Sequence, residues 1–174
     1  NHRTKRSCYC SRADGIESMM RIGQGYDAHG WAEDDRPLVI GGVTFTDKRG
    51  LDGHSDGDVV THAIMDAMLS AAGLGDIGQT FPDTSEELDG ANSLQLLRET
   101  AEMIRDAGWV LVNADCTVVT DTPQIAPVKK QMEAGLSDAA GGVVTVCGKR
   151  TEGIGALGRG EGVVALAVAL LEQK

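Results

Sequence analysis

A single α/β domain is what this sequence predicts, on three observations. Strand-like and helix-like segments alternate from Met20 onwards. No internal repeat or linker interrupts them, and 174 residues supply one core of ordinary size. Aromatics make up only 3% of the chain against 41% hydrophobic residues overall, so that core must be aliphatic. With 23 glycines and 4 prolines, tight turns and close backbone packing are expected rather than disordered linkers.

The elements follow in order. Residues 21–29 suit an extended segment, and 37–45 (PLVIGGVTF) is a β-rich run. From Ser55 the pattern turns helical: Val59, Ala63, Met65, Ala67, Met68 and Leu69 form an apolar surface, closed by Gly73 and Gly75. Residues 75–78 and 81–84 read as a long polar loop. Asn92 or Ser93 can cap a second helix whose Leu94, Leu97, Ala101 and Ile104 recur at helical spacing before Gly108 stops it. Residues 109–119 are strand-like, 127–136 suggest a short helix, and 142–147 another strand. At the end, Leu166, Val168 and Leu170 alternate with alanines, which predicts a strand with one large-residue and one small-residue face; composition alone also allows a helix.

Net charge and composition exclude several functions. At −10 the chain lacks the basic face that nucleic acid requires, although an anionic small molecule can be held by a few local cations. The apolar run 162–171 is too short to span a membrane. Cysteines at 8, 10, 116 and 147 have no framework spacing, so a disulfide scaffold is not expected; Cys8-x-Cys10 could bind metal but lacks partners nearby in sequence and reads as incidental, and a reducing cytoplasm is the expected compartment. Residues 1–18 are basic, polar and aperiodic, and precede Met19-Met20. They read as a non-native or flexible leader outside the domain at 19–174; if they are instead a targeting remnant, a plastid-type organelle replaces the cytoplasm.

Three groups of residues carry possible chemistry. Asp27 and His29 are two apart, so on a strand both side chains leave the same face and can reach one cation. Asp58, His62 and Asp66 stand at i, i+4 and i+8 of the expected first helix. The loop 54–58 (HSDGD) feeds that helix, and its N–H groups and hydroxyl could receive a phosphate. Two imidazoles and a carboxylate are a common set for catalytic zinc, with Asp66 or Asp58 orienting an imidazole. The competing reading, in which these histidines are merely structural, stays open on spacing alone. Gly23-x-Gly25 lacks the third glycine of a dinucleotide fingerprint, and Ser55 has no nucleophile elbow around it. The turn 158–162 (GRGEG) is either a glycine turn with an internal ion pair or a place where Arg159 grips an anion.

The stretches GQGYDAHGW, GHSDGDVVTHAIMDAMLSAAGLGDIG, FPDT and GRGEG, in this order and spacing, resemble the 2-C-methyl-D-erythritol 2,4-cyclodiphosphate synthase family over residues 20–171. The resemblance implies a mixed β-sheet covered by helices on one face, in a homotrimer packed around the sheets with sites shared between subunits. It implies that Asp27, His29 and His62 hold Zn2+, and that Glu152 with the substrate's phosphates holds Mg2+ or Mn2+. Asp27, Ala28, His29, His54, Ser55, Thr151, Glu152 and Arg159 would lie against a cytidine diphosphate substrate, His54 and Ser55 at its phosphates. Asp76, Ile77 and Gly78 would meet the methylerythritol part, with Phe81, Pro82, Asp83 and Thr84 bordering it. Thr120, Asp121, Thr122, Pro123, Gln124, Ile125 and Ala126 would form the cytosine pocket across the subunit boundary.

The chain departs from the family pattern in places. Cys147-Gly148-Lys149-Arg150-Thr151-Glu152 stands where Lys-Ala-Thr-Thr-x-Glu is usual, so Arg150 occupies a phosphate-contacting threonine position and joins His54 as an expected catalytic group. Gln124, Ser85 and Ala156 replace a common lysine, an aspartate and an aromatic. The implied activity is closure of a cyclic diphosphate with loss of CMP, in the non-mevalonate isoprenoid route. A non-catalytic trimer that binds zinc and diphosphates, or a hydrolase using the same metal, is the alternative.

Overall fold

The computed structural model describes residues 19–53, 55–82 and 90–174; the expected leader lies outside them. Strand β1 (Met20–Gly30) is followed by the hairpin β2 (Pro37–Ile40) and β3 (Val43–Arg49), helix α1 (Val59–Ala72), the single turn α2 (Ile77–Thr80) and helix α3 (Ser93–Asp106). Then come β4 (Trp109–Val119), α4 (Lys129–Ala140), β5 (Val143–Lys149), the single turn α5 (Gly155–Gly158) and β6 (Gly162–Gln173). The main sheet has the order β1-β6-β4-β5. β6 is antiparallel to both neighbours, while β4 and β5 run parallel through the α4 crossover, so the sheet is mixed.

All three long helices pack on the sheet's one covered face, and α1 lies closest to the middle of the molecule. Its residues are buried almost all round, as expected of a helix between a sheet and α3. α3 is the amphipathic one, burying Leu96, Leu97, Thr100, Ala101 and Ile104. A fully buried leucine such as Leu97 contributes roughly 1.5–3 kcal/mol.

β6 is a strand, and its two faces sort by size: Ala165, Ala167 and Ala169 lie beneath the helices, while Leu166 and Val168 point outwards. Beside them on β1, Ile22 and Tyr26 are 74% and 57% exposed. This half of the outer face is largely apolar, while the other half sets Thr145, bonded to Asp115, beside an exposed Val143.

Several boundaries differ from expectation. The run 37–45 is two strands folded back at Gly41-Gly42, whose φ values of +58° and +72° are those of a two-residue hairpin turn that excludes side chains. α1 begins at Val59, not Ser55, because Asp58 is its cap. The loop expected at 75–78 contains the α2 turn, with Asp76 accepting from the Gln79 N–H. The helix expected at 127–136 runs Lys129–Ala140. Cys116 and Cys147 are free thiols; burial first, then nearby carboxylates, push the Cys116 thiol up to about 12, which leaves it inert. Among the described residues no helix is long and apolar enough to cross a membrane.

Candidate metal centre and a second cavity

β1 reaches the site through two glycines. A Cβ on Gly23 would stand 2.0 Å from the Ala67 carbonyl oxygen, and one on Gly25 would stand 1.9 Å from that of Ala63. With no side chain there, β1 and α1 touch backbone to backbone through the alanine row 63, 67, 71. Two residues further along the same face come Asp27 and then His29, and the close approach sets His62 of α1 against them.

The three donors converge on one point. His29 Nε2 and His62 Nδ1 each lie 3.0 Å from Asp27 Oδ2. All three ligand atoms fall within 4.8 Å of one another, and the rings meet edge-on at 66°. Burial works against ionisation of Asp27, but the hydrogen bonds and charges of His29 and His62 outweigh it and hold the carboxyl well below its usual range. Burial likewise opposes charge on His29, yet Asp27 and the Asp52 carbonyl raise its pKa. An ionised carboxylate with two imidazoles, half-buried on rigid elements, is a donor set that fits a zinc-like cation.

The centre opens into a cleft of about 290 Å³ bordered by Ser55, Asp66, Ile77, Gly78 and Phe81, with Tyr26, Gly53 and Leu96 completing it. Ala28 faces away, Asp76 caps α2, and Pro82 is exposed just beyond Phe81. His54, Asp83 and Thr84 lie outside the described residues.

Two expectations are corrected, and a third is narrowed. Asp58 does not share a helical stripe with His62. Fully buried, it accepts from the Gly41 and Gly42 N–H groups at 2.7 Å, from Val60 N and Thr61 N, and from the Thr61 hydroxyl, tying the hairpin turn to the start of α1. Asp66 does not orient an imidazole either; its carboxylate accepts from Ile77 N at 2.8 Å, and burial raises its pKa. In the loop 54–58, the N–H groups of Asp56 and Asp58 donate to the Ala91 carbonyl and to Asp56 Oδ1, and those of Val60 and Thr61 go to Asp58. The amides of Asp56 and Asp58 are therefore committed within the protein, while Ser55 borders the cleft. What actually touches His62 Nε2 is Ser93 Oγ at 2.9 Å and Ser55 Oγ at 3.0 Å. Ser93 stood in the sequence only as a possible helix cap; no spacing rule links residues 31 positions apart.

A second cavity, of about 360 Å³, shares no residue with the first. Thr120, Asp121, Pro123, Gln124, Ile125 and Ala126 border it, with Lys129, Lys149 and Arg150 as cations. Thr122 shapes the turn, its carbonyl accepting from the Thr120 hydroxyl at 2.6 Å. Thr151 is buried and gives both its N–H and its hydroxyl to Asp121. Glu152 is exposed at φ 53°, outside the three-residue cluster, and Arg159 is exposed with Glu161 at 2.6 Å.

The YgbB family model matches residues 20–172. A 2-C-methyl-D-erythritol 2,4-cyclodiphosphate synthase of Chromobacterium violaceum is 51% identical over 158 residues, 89% of this chain and 99% of its own length. The bifunctional IspDF of Campylobacter jejuni has a TM-score of 0.86 at 35% identity, covering 91% of this chain, which spans only 43% of that longer protein. A CDP complex of IspF from Plasmodium falciparum has a TM-score of 0.76 at 31% identity, over 89% of this chain and 97% of that one.

Proposed function

The chain belongs to the YgbB family, and from that premise we propose that it is a 2-C-methyl-D-erythritol 2,4-cyclodiphosphate synthase, a phosphorus–oxygen lyase of the non-mevalonate isoprenoid route. Its substrate is the cytidine diphosphate ester of methylerythritol 2-phosphate. An oxygen of the 2-phosphate forms a bond to the β-phosphorus, the bond from that phosphorus to the bridging oxygen breaks, and CMP leaves with the electron pair. The observation that carries the reading is the convergence of Asp27, His29 and His62 at the end of an open cleft.

The nucleophile needs no general base, because a phosphate monoester has a second pKa of about 6 and is already anionic at neutral pH. The protein's tasks are alignment of the ends and accommodation of charge. Asp27, His29 and His62 would hold Zn2+, and Glu152 with the substrate's phosphates would hold Mg2+ or Mn2+. Cations bound there supply charge neutralisation for the transferring phosphoryl group. Ser55 would donate to a phosphate oxygen, as would His54. Ile77, Gly78 and Phe81 would bound the methylerythritol part, with Asp76 at its edge, and exclude water that would otherwise compete as a nucleophile.

Residues 120–126 would hold cytosine, while Arg150 and Lys149 would meet the nucleotide's phosphates and Arg159 would steer the anion. Each cavity is at or near the small end for a ligand of this size, which supports a site assembled from both. The apolar outer face of β1 and β6 supports self-association around the sheets, here read as a homotrimer with the two cavities joined across its interfaces.

Phosphorus NMR of the protein with the cytidine diphosphate substrate and Mg2+ tests the proposal. CMP with a cyclic diphosphate is expected. CMP with an open-chain bisphosphate would reveal a hydrolase, and no turnover a binding protein. His29→Ala is expected to lose zinc from a folded protein, measured by metal analysis; unchanged zinc content rejects the ligand set.

A further inference from the structure

His62 presents two ring nitrogens to polar neighbours, and a cation can take only one. Nδ1 faces Asp27 Oδ2 at 3.0 Å, while Nε2 faces Ser93 Oγ at 2.9 Å and Ser55 Oγ at 3.0 Å. A serine hydroxyl has one proton. Ser93 gives its proton to Asp56 Oδ1, and its backbone N–H donates to Asp56 Oδ2 at 3.0 Å. A carboxylate has no proton to return, so Ser93 Oγ meets Nε2 with a lone pair. The contact is favourable only if Nε2 carries hydrogen. The opposite arrangement would set two lone pairs against each other at a fully buried serine, where no water relieves them. Ser55 alone would not decide the matter, since its hydroxyl can donate or accept.

We propose that Asp56 and Ser93 are positioning residues that keep the proton on His62 Nε2 and so reserve Nδ1 for the cation. This rests on the reading of Asp27, His29 and His62 as metal ligands. The arrangement is held from both ends. Asp56 Oδ1 also accepts from Asp58 N at 3.3 Å, and its own N–H donates to the Ala91 carbonyl. Its negative charge sits at the first residue of α3, where the helix dipole favours it. The His62 imidazole is thus fixed by a serine that only a carboxylate polarises in the required sense.

The test uses the whole protein labelled with 15N-histidine and loaded with 113Cd2+. Expected are cadmium coupling to His62 Nδ1 and a proton on Nε2; cadmium on Nε2, or a proton retained on Nδ1, overturns the proposal. In competition with a chelator, Ser93→Ala is expected to bind zinc about 10–100-fold more weakly, with most of the loss recovered in Ser93→Thr, which keeps the hydroxyl. Asp56→Asn is expected to weaken zinc in the same direction. A folded Ser93→Ala with wild-type zinc affinity defeats the relay while leaving the ligand set intact. A wild-type protein that takes up neither metal defeats the ligand set and the relay together. Should Ser93→Ala not fold, the wild-type spectrum decides alone.

Discussion

The candidate metal centre and the second cavity are built from different materials. Around Asp27, His29 and His62 the donors stand on a strand and a long helix, locked by glycine–alanine backbone contact and a buried network through Asp58, Asp56 and Ser93. Around 120–126 the walls are a loop after β4 and the end of β5, with cations on long side chains and one carboxylate, Asp121, holding the loop to Thr151. A cation demands donors placed within fractions of an ångström, which rigid elements supply. A planar base and flexible phosphates tolerate a wall of backbone and mobile cations. On the proposed function, the first cavity has to supply geometry and the second recognition.

The largest expected effect breaks the first cavity alone. Gly25→Ala puts a Cβ where only 1.9 Å separates it from the Ala63 carbonyl oxygen, so α1 must move away from β1. Denaturant titration is expected to show a loss of about 1–3 kcal/mol, and metal analysis a depleted centre. CMP affinity at the second cavity should stay within about twofold; a parallel loss would mean the cavities are not independent. Next in size, Arg150→Ala should leave zinc content unchanged and raise the KM for the cytidine diphosphate substrate about tenfold, through loss of a charge-assisted hydrogen bond. An unchanged KM would remove Arg150 from the phosphate contacts.

The smallest effect concerns acid. The Thr151 hydroxyl and N–H hold the Asp121 carboxyl below its ordinary 3.8. A depressed carboxylate contributes stability that is full above its unfolded pKa and fades as pH falls through the lower folded value. The difference in thermal midpoint between the protein and Asp121→Asn should therefore be constant down to about pH 4 and shrink below it. A difference that instead grows in acid contradicts the assignment.

Much of this was legible along the chain, for a local reason. Side chains two apart on a strand share a face, so Asp27 and His29 could be paired before any fold was known. The alternation of Leu166, Val168 and Leu170 with alanines marked β6 as a strand for the same reason, and helical spacing marked α3. Such patterns depend only on neighbours within one element. Asp58 misled because a residue four before His62 reads as its helical partner, while its real partners are the Gly41 and Gly42 amides. Nor did any pattern show which face of β6 the helices would cover, or that residues 120–126 would form a cavity separate from the metal cleft. Asp56, His62 and Ser93 meet only because α1 and α3 pack together on one side of the sheet. Periodicity records how an element faces; which distant polar group it meets there depends on how closely elements approach, and at this site two missing side chains, at Gly23 and Gly25, set that distance.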